Sequence, residues 1–127
     1  MIDRRAFILG AAALAGTARA ENAAGKFELV MVEEHGCPWC ARWNAEVGPI
    51  YPKTAEGRIA PLRRIDISEV GGDGLAVDMR VVFTPTFLLV RDGAEIGRIE
   101  GYPGEELFWW FLAALMQKHD LGEGEDR

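Results

Sequence analysis

The chain has 127 residues, 49% of them hydrophobic, and a formal net charge of −6. That length supports one modest core, and the acidic balance leaves no basic patch with which to bind nucleic acid. With only two cysteines and two histidines, the chain lacks the second cysteine pair of a tetrahedral zinc site.

Residues 1–20 read as an export signal. Arg4 and Arg5 form a basic start, Ala6 to Gly16 is apolar and Ala-rich, and Ala18-Arg19-Ala20 is a cleavage pattern that predicts processing after Ala20. The apolar stretch falls short of the about 20 residues that span a bilayer, which argues against a permanent anchor. Asp3-Arg4-Arg5-Ala6-Phe7-Ile8 resembles a twin-arginine signal. Export would place the protein in the periplasm, where disulfides form and persist. Removing residues 1–20 leaves 11 Lys and Arg against 19 Asp and Glu, a net charge of −8. Residues 21–121 read as one domain, and residues 122–127 as a disordered acidic tail.

Phe27 to Glu34 reads as a first strand, and its unbroken apolar centre, Leu29-Val30-Met31-Val32, predicts burial on both faces. His35-Gly36-Cys37-Pro38-Trp39-Cys40 follows and contains both cysteines. Pro38 suits the first position of a helix, which makes Cys37 its cap. A sulfur there faces unpaired N–H groups and the positive end of the helix dipole, so its thiolate is favoured. Cys40 lies about one turn further in, on the same side. Such a pair can close a disulfide and reopen it by thiolate attack, the chemistry of a dithiol oxidoreductase that needs no added cofactor or metal.

The same helix carries Cys40, Trp43 and Val47 at one-face spacing and Arg42 and Glu46 as an outward pair, with Gly48-Pro49 to stop it. Leu62 to Ser68 predicts a second strand, parallel to the first. Leu75 to Arg80 predicts a short helix, and Gly71 to Gly74 a loop before it. Thr86 to Arg91 and Glu95 to Glu100 predict an antiparallel pair around the Asp92-Gly93 turn. Glu105 to His119 predicts a last helix, apolar nearly all round at Leu107 to Leu112. The order β-α-β-α-β-β-α implies an α/β fold: a central mixed four-stranded sheet with helices on both faces.

With Cys-Pro-Trp-Cys at the first helix start and Thr84-Pro85-Thr86 before the third strand, the sequence resembles the thioredoxin superfamily. Within it, the chain looks most like the small exported thioredoxins encoded with bacterial sulfur-oxidation systems. The resemblance implies a thioredoxin-like fold and a redox-active Cys37–Cys40 disulfide acting on a protein disulfide. It also implies a sulfur-carrier protein as partner and a membrane thiol-electron donor. For Pro85 it implies a cis bond beside the cysteines, with the Thr84 backbone open to a bound substrate segment. The chain departs from the family pattern in placing proline first, as Pro38-Trp39, where thioredoxins usually carry Gly-Pro. Met31 also stands where many thioredoxins bury an acid.

Other residues are candidate modulators. Glu33 is a stand-in for the missing acid, or a solvated strand end. His35, if protonated, would stabilise the Cys37 thiolate, or it is a solvated loop residue. Trp39 either lies exposed at the reactive rim or folds back on Trp43. Tyr102 falls in the loop that the resemblance sets beside the site. Two further functions stay open: a metal-carrying or partner-holding module with Cys37, Cys40 and His35 as soft ligands, and a disulfide oxidant or isomerase of the same fold.

Overall fold

The strand Phe27–Glu33 (β1) lies at the centre of the molecule, with Leu29, Val30, Met31 and Val32 all fully buried. The computed structural model describes residues 25–72 and 74–121. The expected signal peptide (1–20) and acidic tail (122–127) lie outside the described residues. After β1 come the helices Pro38–Glu46 (α1) and Ala55–Ile59 (α2), separated by a tight turn at Tyr51–Lys53, and then the strand Leu62–Asp66 (β2). The strands Thr86–Arg91 (β3) and Ala94–Glu100 (β4) and the helix Glu105–Lys118 (α3) complete the order.

The four strands form one mixed sheet in the order β2-β1-β3-β4. β1 runs parallel to β2, with Val32 opposite Ile65, and antiparallel to β3, with Met31 opposite Phe87. Alternation along β1 and β3 divides the core between the two faces. Leu29, Met31, Phe87 and Leu89 face α1 and α3, where they meet Trp43, Phe108, Leu112 and Met116. Val30, Val32, Leu88 and Val90 face the other way, against Ile65, Leu75 and Val81.

That second face differs from the sequence expectation. The helix predicted at Leu75 to Arg80 does not form; the segment is irregular, with an isolated parallel bridge from Ala76 to Ala94 and a bend at Asp78 and Met79. A helix of six residues, fewer than two turns, is too short to be stable by itself, and β4 has a free edge that rewards pairing. Ala76 N–H donates to Gly93 O at 2.9 Å, and Glu95 N–H donates to Ala76 O at 2.8 Å. The backbone groups that a helix would have used are thus spent on the sheet edge. β2 is also shorter than predicted, because Asp66 and Glu69 cap each other's backbone and turn the chain at Ile67–Glu69.

Candidate active site

Cys37 caps α1. Its backbone is extended (φ −83°, ψ 111°), Pro38 follows at the first helical position, and the N–H of Cys40 donates to Cys37 Sγ at 3.1 Å. The two cysteines form a disulfide with their Cα atoms 5.2 Å apart. Cys37 is half-buried, whereas Cys40 is buried against Trp43 and the sheet. The outer sulfur is therefore the one a partner can reach.

The chain before β3 closes over this sulfur. The Thr84–Pro85 peptide bond is cis, and Thr84 O lies 3.5 Å from Cys37 Sγ. Thr84 Oγ1 donates to Glu34 Oε1 at 3.4 Å, and Thr86 Oγ1 donates to Phe83 O at 2.8 Å, so the segment is held on both sides of Pro85.

Grooves flank the disulfide on two sides. One, of about 520 Å³, is lined by Trp39, Phe83, Thr84, Tyr102 and Pro103, with Glu100 at its edge. Trp39 is 51% exposed, with the Arg42 guanidinium 5.3 Å above its ring, and so stands at the rim. It does not fold onto Trp43, which is fully buried and packs on Phe87 and Phe108. Tyr102 is buried and donates to Glu46 Oε1 at 2.5 Å, which ties the 101–104 loop to α1. Burial and this bond push the Tyr102 phenol up, while the bond holds the Glu46 carboxyl below its ordinary value.

The other groove, of about 620 Å³, is polar and runs beneath the pair past Glu33, His35, Asn44, Arg64 and Asp66. Glu33 reaches this groove, but its carboxylate is engaged by Asn44 Nδ2 at 3.2 Å and lies 3.7 Å from Arg64 Nη1. Arg64 also donates to Asn44 Oδ1 and approaches Met31 Sδ at 3.6 Å. His35 is exposed on the same wall, near Asp66, whose carboxyl is held down by bonds from Ser68.

The structure thus gathers Cys37, Pro38, Cys40, Thr84 and Pro85, with Trp39 and Tyr102 on one side and Glu33 and His35 on the other. Sequence reasoning missed Phe83, Asn44 and Arg64. Phe83 carried a signal, an apolar residue directly before Thr84-Pro85; Asn44 and Arg64 carried none. On α3 the face formed by Leu107, Trp110 and Phe111 is exposed, so the apolar run there is wider than the core it covers. Among the described residues, no three His, Cys, Asp or Glu side chains converge to hold a metal ion, and no helix is long and apolar enough to cross a membrane.

Comparison with known proteins agrees with this geometry. A family model described as a thioredoxin-like domain matches residues 16–115. The crystal structure of the periplasmic thioredoxin SoxS from Paracoccus pantotrophus, in its reduced form, is 46% identical, with a TM-score of 0.72 over 75% of this chain and 100% of that one. The germline thioredoxin Deadhead of Drosophila melanogaster is 20% identical with a TM-score of 0.54, covering 78% of this chain and 90% of that one. Thioredoxin NaTrxh of Nicotiana alata is 24% identical with a TM-score of 0.51, covering 70% of this chain and 73% of that one. The last two share the fold. No curated protein sequence matches the chain.

Proposed function

Because the chain belongs to the thioredoxin-like family and is a thiol–disulfide oxidoreductase, we propose that it works in the periplasm as a reductant that returns a sulfur-carrier protein to its thiol form. The observation that carries this reading is the 46% identity to periplasmic SoxS across the whole of that protein. The signal read in residues 1–20 supports the same compartment.

In the reduced protein, the Cys37 thiolate attacks one sulfur of the partner's disulfide. A Cys37–partner bond forms, and the other sulfur leaves as a thiolate. The N-terminal end of α1 favours that attacking thiolate, and the Cys40 N–H already points at Cys37 Sγ. Thr84 O, beside the sulfur, offers a backbone acceptor to an extended partner segment. Cys40 then attacks Cys37 Sγ, which releases the reduced partner and leaves Cys37–Cys40 oxidised. The partner gains two electrons, and a membrane thiol donor supplies them back through the reverse exchange.

The test is reduction of a purified sulfur-carrier protein whose carrier cysteine is held in a disulfide, with pre-reduced protein in stoichiometric amount. Rapid release of the carrier thiol, abolished by Cys37→Ser, is the expected result. Release no faster than with free dithiol at the same concentration would remove the carrier from the proposal. Copper or zinc retained by the purified protein at one equivalent would favour the metal-carrying reading instead.

A further inference from the structure

Outside the disulfide site, Arg98 is heavily bonded on the face of the sheet opposite α1 and α3. Its side chain is 9% exposed and that of Glu95 is 2% exposed. Nε donates to Glu95 Oε2 at 2.6 Å and Nη2 to Glu95 Oε1 at 2.8 Å, a bidentate pair. Two of the remaining bonds leave β4, and a third reaches its last residue. Nη2 donates to Met79 O at 2.7 Å, Nη1 reaches Arg80 O at 3.5 Å, and Nη1 donates to Glu100 Oε2 at 3.2 Å. Glu95 Oε1 also accepts from the Asp78 N–H at 2.9 Å.

These bonds hold the irregular segment that replaces the predicted helix, and that segment leads straight into the site. Val81 anchors it in the core, after which Val82 and Phe83 emerge, each 57% exposed. The next fixed points are Phe83 O, held by the Thr86 hydroxyl, and Thr84 Oγ1, held by Glu34. Phe83 is thus carried on a short arch pinned at both ends, by the Glu95–Arg98 pair and by Thr86. It lines, with Trp39, the groove that Thr84 borders, and Thr84 O lies 3.5 Å from Cys37 Sγ. Arg98 also holds Glu100, which stands at the edge of the same groove.

From this geometry we propose that Arg98, locked by Glu95, is a positioning residue for protein substrates: it fixes the Met79–Phe83 arch, and through it the Phe83 wall of the groove beside Cys37. The inference rests on protein disulfides being the substrates. A small disulfide, which needs only Cys37, does not use the Phe83 wall. A lysine at position 98 keeps the charge but loses the planar fork that serves Glu95 and two carbonyls at once.

The test compares rate constants for oxidation of the pre-reduced protein by insulin and by hydroxyethyl disulfide. Arg98→Lys should lower the insulin rate about fivefold, the size expected for a loosened apolar contact. The hydroxyethyl disulfide rate should stay at the wild-type level. Adding Arg98→Lys to Phe83→Ala should produce no further loss with insulin, since the arch then carries no wall to position. An unchanged insulin rate in Arg98→Lys, an equal loss with both disulfides, or losses that multiply in the double variant would overturn the proposal. If Arg98→Lys fails to fold, Glu95→Gln is judged by the same criteria. Failure of the wild-type protein to react with insulin while it reacts with hydroxyethyl disulfide would instead strike at the protein-disulfide reading itself.

Discussion

The backbone N–H of Cys40 donates to Cys37 Sγ at 3.1 Å, so the sulfur takes the place that a capping oxygen takes in most helices. This contact and the open N-terminal turn of α1 favour negative charge on Cys37 after reduction, whereas Cys40 is only 3% exposed. Iodoacetamide added to the reduced protein near neutral pH should therefore label Cys37 first. Peptide mapping that found Cys40 labelled at an equal or greater rate would reverse the assignment of attacking and resolving sulfurs.

The same asymmetry fixes which variant holds a partner. Cys40→Ser keeps the reachable sulfur and removes the one that resolves the mixed disulfide, while Cys37→Ser leaves only the buried sulfur. With insulin, its disulfides intact, as partner, Cys40→Ser should accumulate a covalent adduct on a non-reducing gel and Cys37→Ser very little. Equal accumulation by the two variants would contradict two-step exchange.

The parts legible in the sequence were those set by local rules. β3 matches its predicted span, because alternation was unnecessary for a strand buried on both faces and the turn after it is chemically explicit: Asp92 (φ 52°) and Gly93 (φ 85°) both take left-handed conformations. The cap at Cys37 was legible from Pro38 alone. What was hidden depends on pairings between distant strands. Glu95 and Arg98 are three apart and would point to opposite faces of a regular strand. An irregularity opposite Leu89 and Val90 lets β4 take an extra residue, which turns both side chains to one face. Gly97, a glycine inside the strand, is the local sign of that bulge, but it does not say which residues the shift brings to one face, so neither the ion pair nor the arch it holds was foreseen. The choice for Trp39 was likewise decided at long range, by the closed aromatic cluster of Trp43, Phe87 and Phe108 that leaves no room for it.

Tyr102 ties the 101–104 loop to α1 through Glu46, and the phenol is the largest influence lowering the Glu46 carboxyl. Removing the hydroxyl by Tyr102→Phe should raise the Glu46 pKa toward its ordinary value of 4.5. A carbon-detected NMR titration of the side-chain carboxyls reads this directly. An unmoved Glu46 would mean that Arg42, the other group facing it, sets its titration.

Gly57 sits where α2 crosses the Tyr51 turn. A Cβ there would lie 1.9 Å from Tyr51 O and 2.8 Å from Tyr51 C, both backbone atoms that cannot rotate away. Tyr51 is itself locked, fully buried, stacked on Trp109 with ring centroids 6.0 Å apart, and donating to Ala60 O at 2.7 Å. Gly57→Ala should therefore destabilise the fold by about 1–3 kcal/mol, the usual cost of overpacking. A denaturant midpoint equal to that of the wild type would show that α2 can move off the turn freely.

The Glu95–Arg98 pair makes stability depend on pH in a definite direction. Burial by itself would raise the Glu95 carboxyl, but the bonds from Arg98 and from the Asp78 N–H outweigh it and hold the carboxyl below its ordinary value of 4.5. A carboxyl lowered in the folded state binds its proton more readily when the chain unfolds. Its contribution is therefore fully present above 4.5 and is lost as pH falls through the folded value. Glu95→Gln removes the charge while keeping an acceptor oxygen for Arg98 and for the Asp78 N–H. At neutral pH the variant should be less stable by about 2 kcal/mol, the range for hydrogen bonds to charged groups. As pH drops below 4.5, the wild type should lose that advantage and the two stabilities should converge. Urea unfolding of both proteins across the acid range measures the gap. A gap that stays constant, or widens toward low pH, would show that the Glu95 charge contributes nothing to holding the arch.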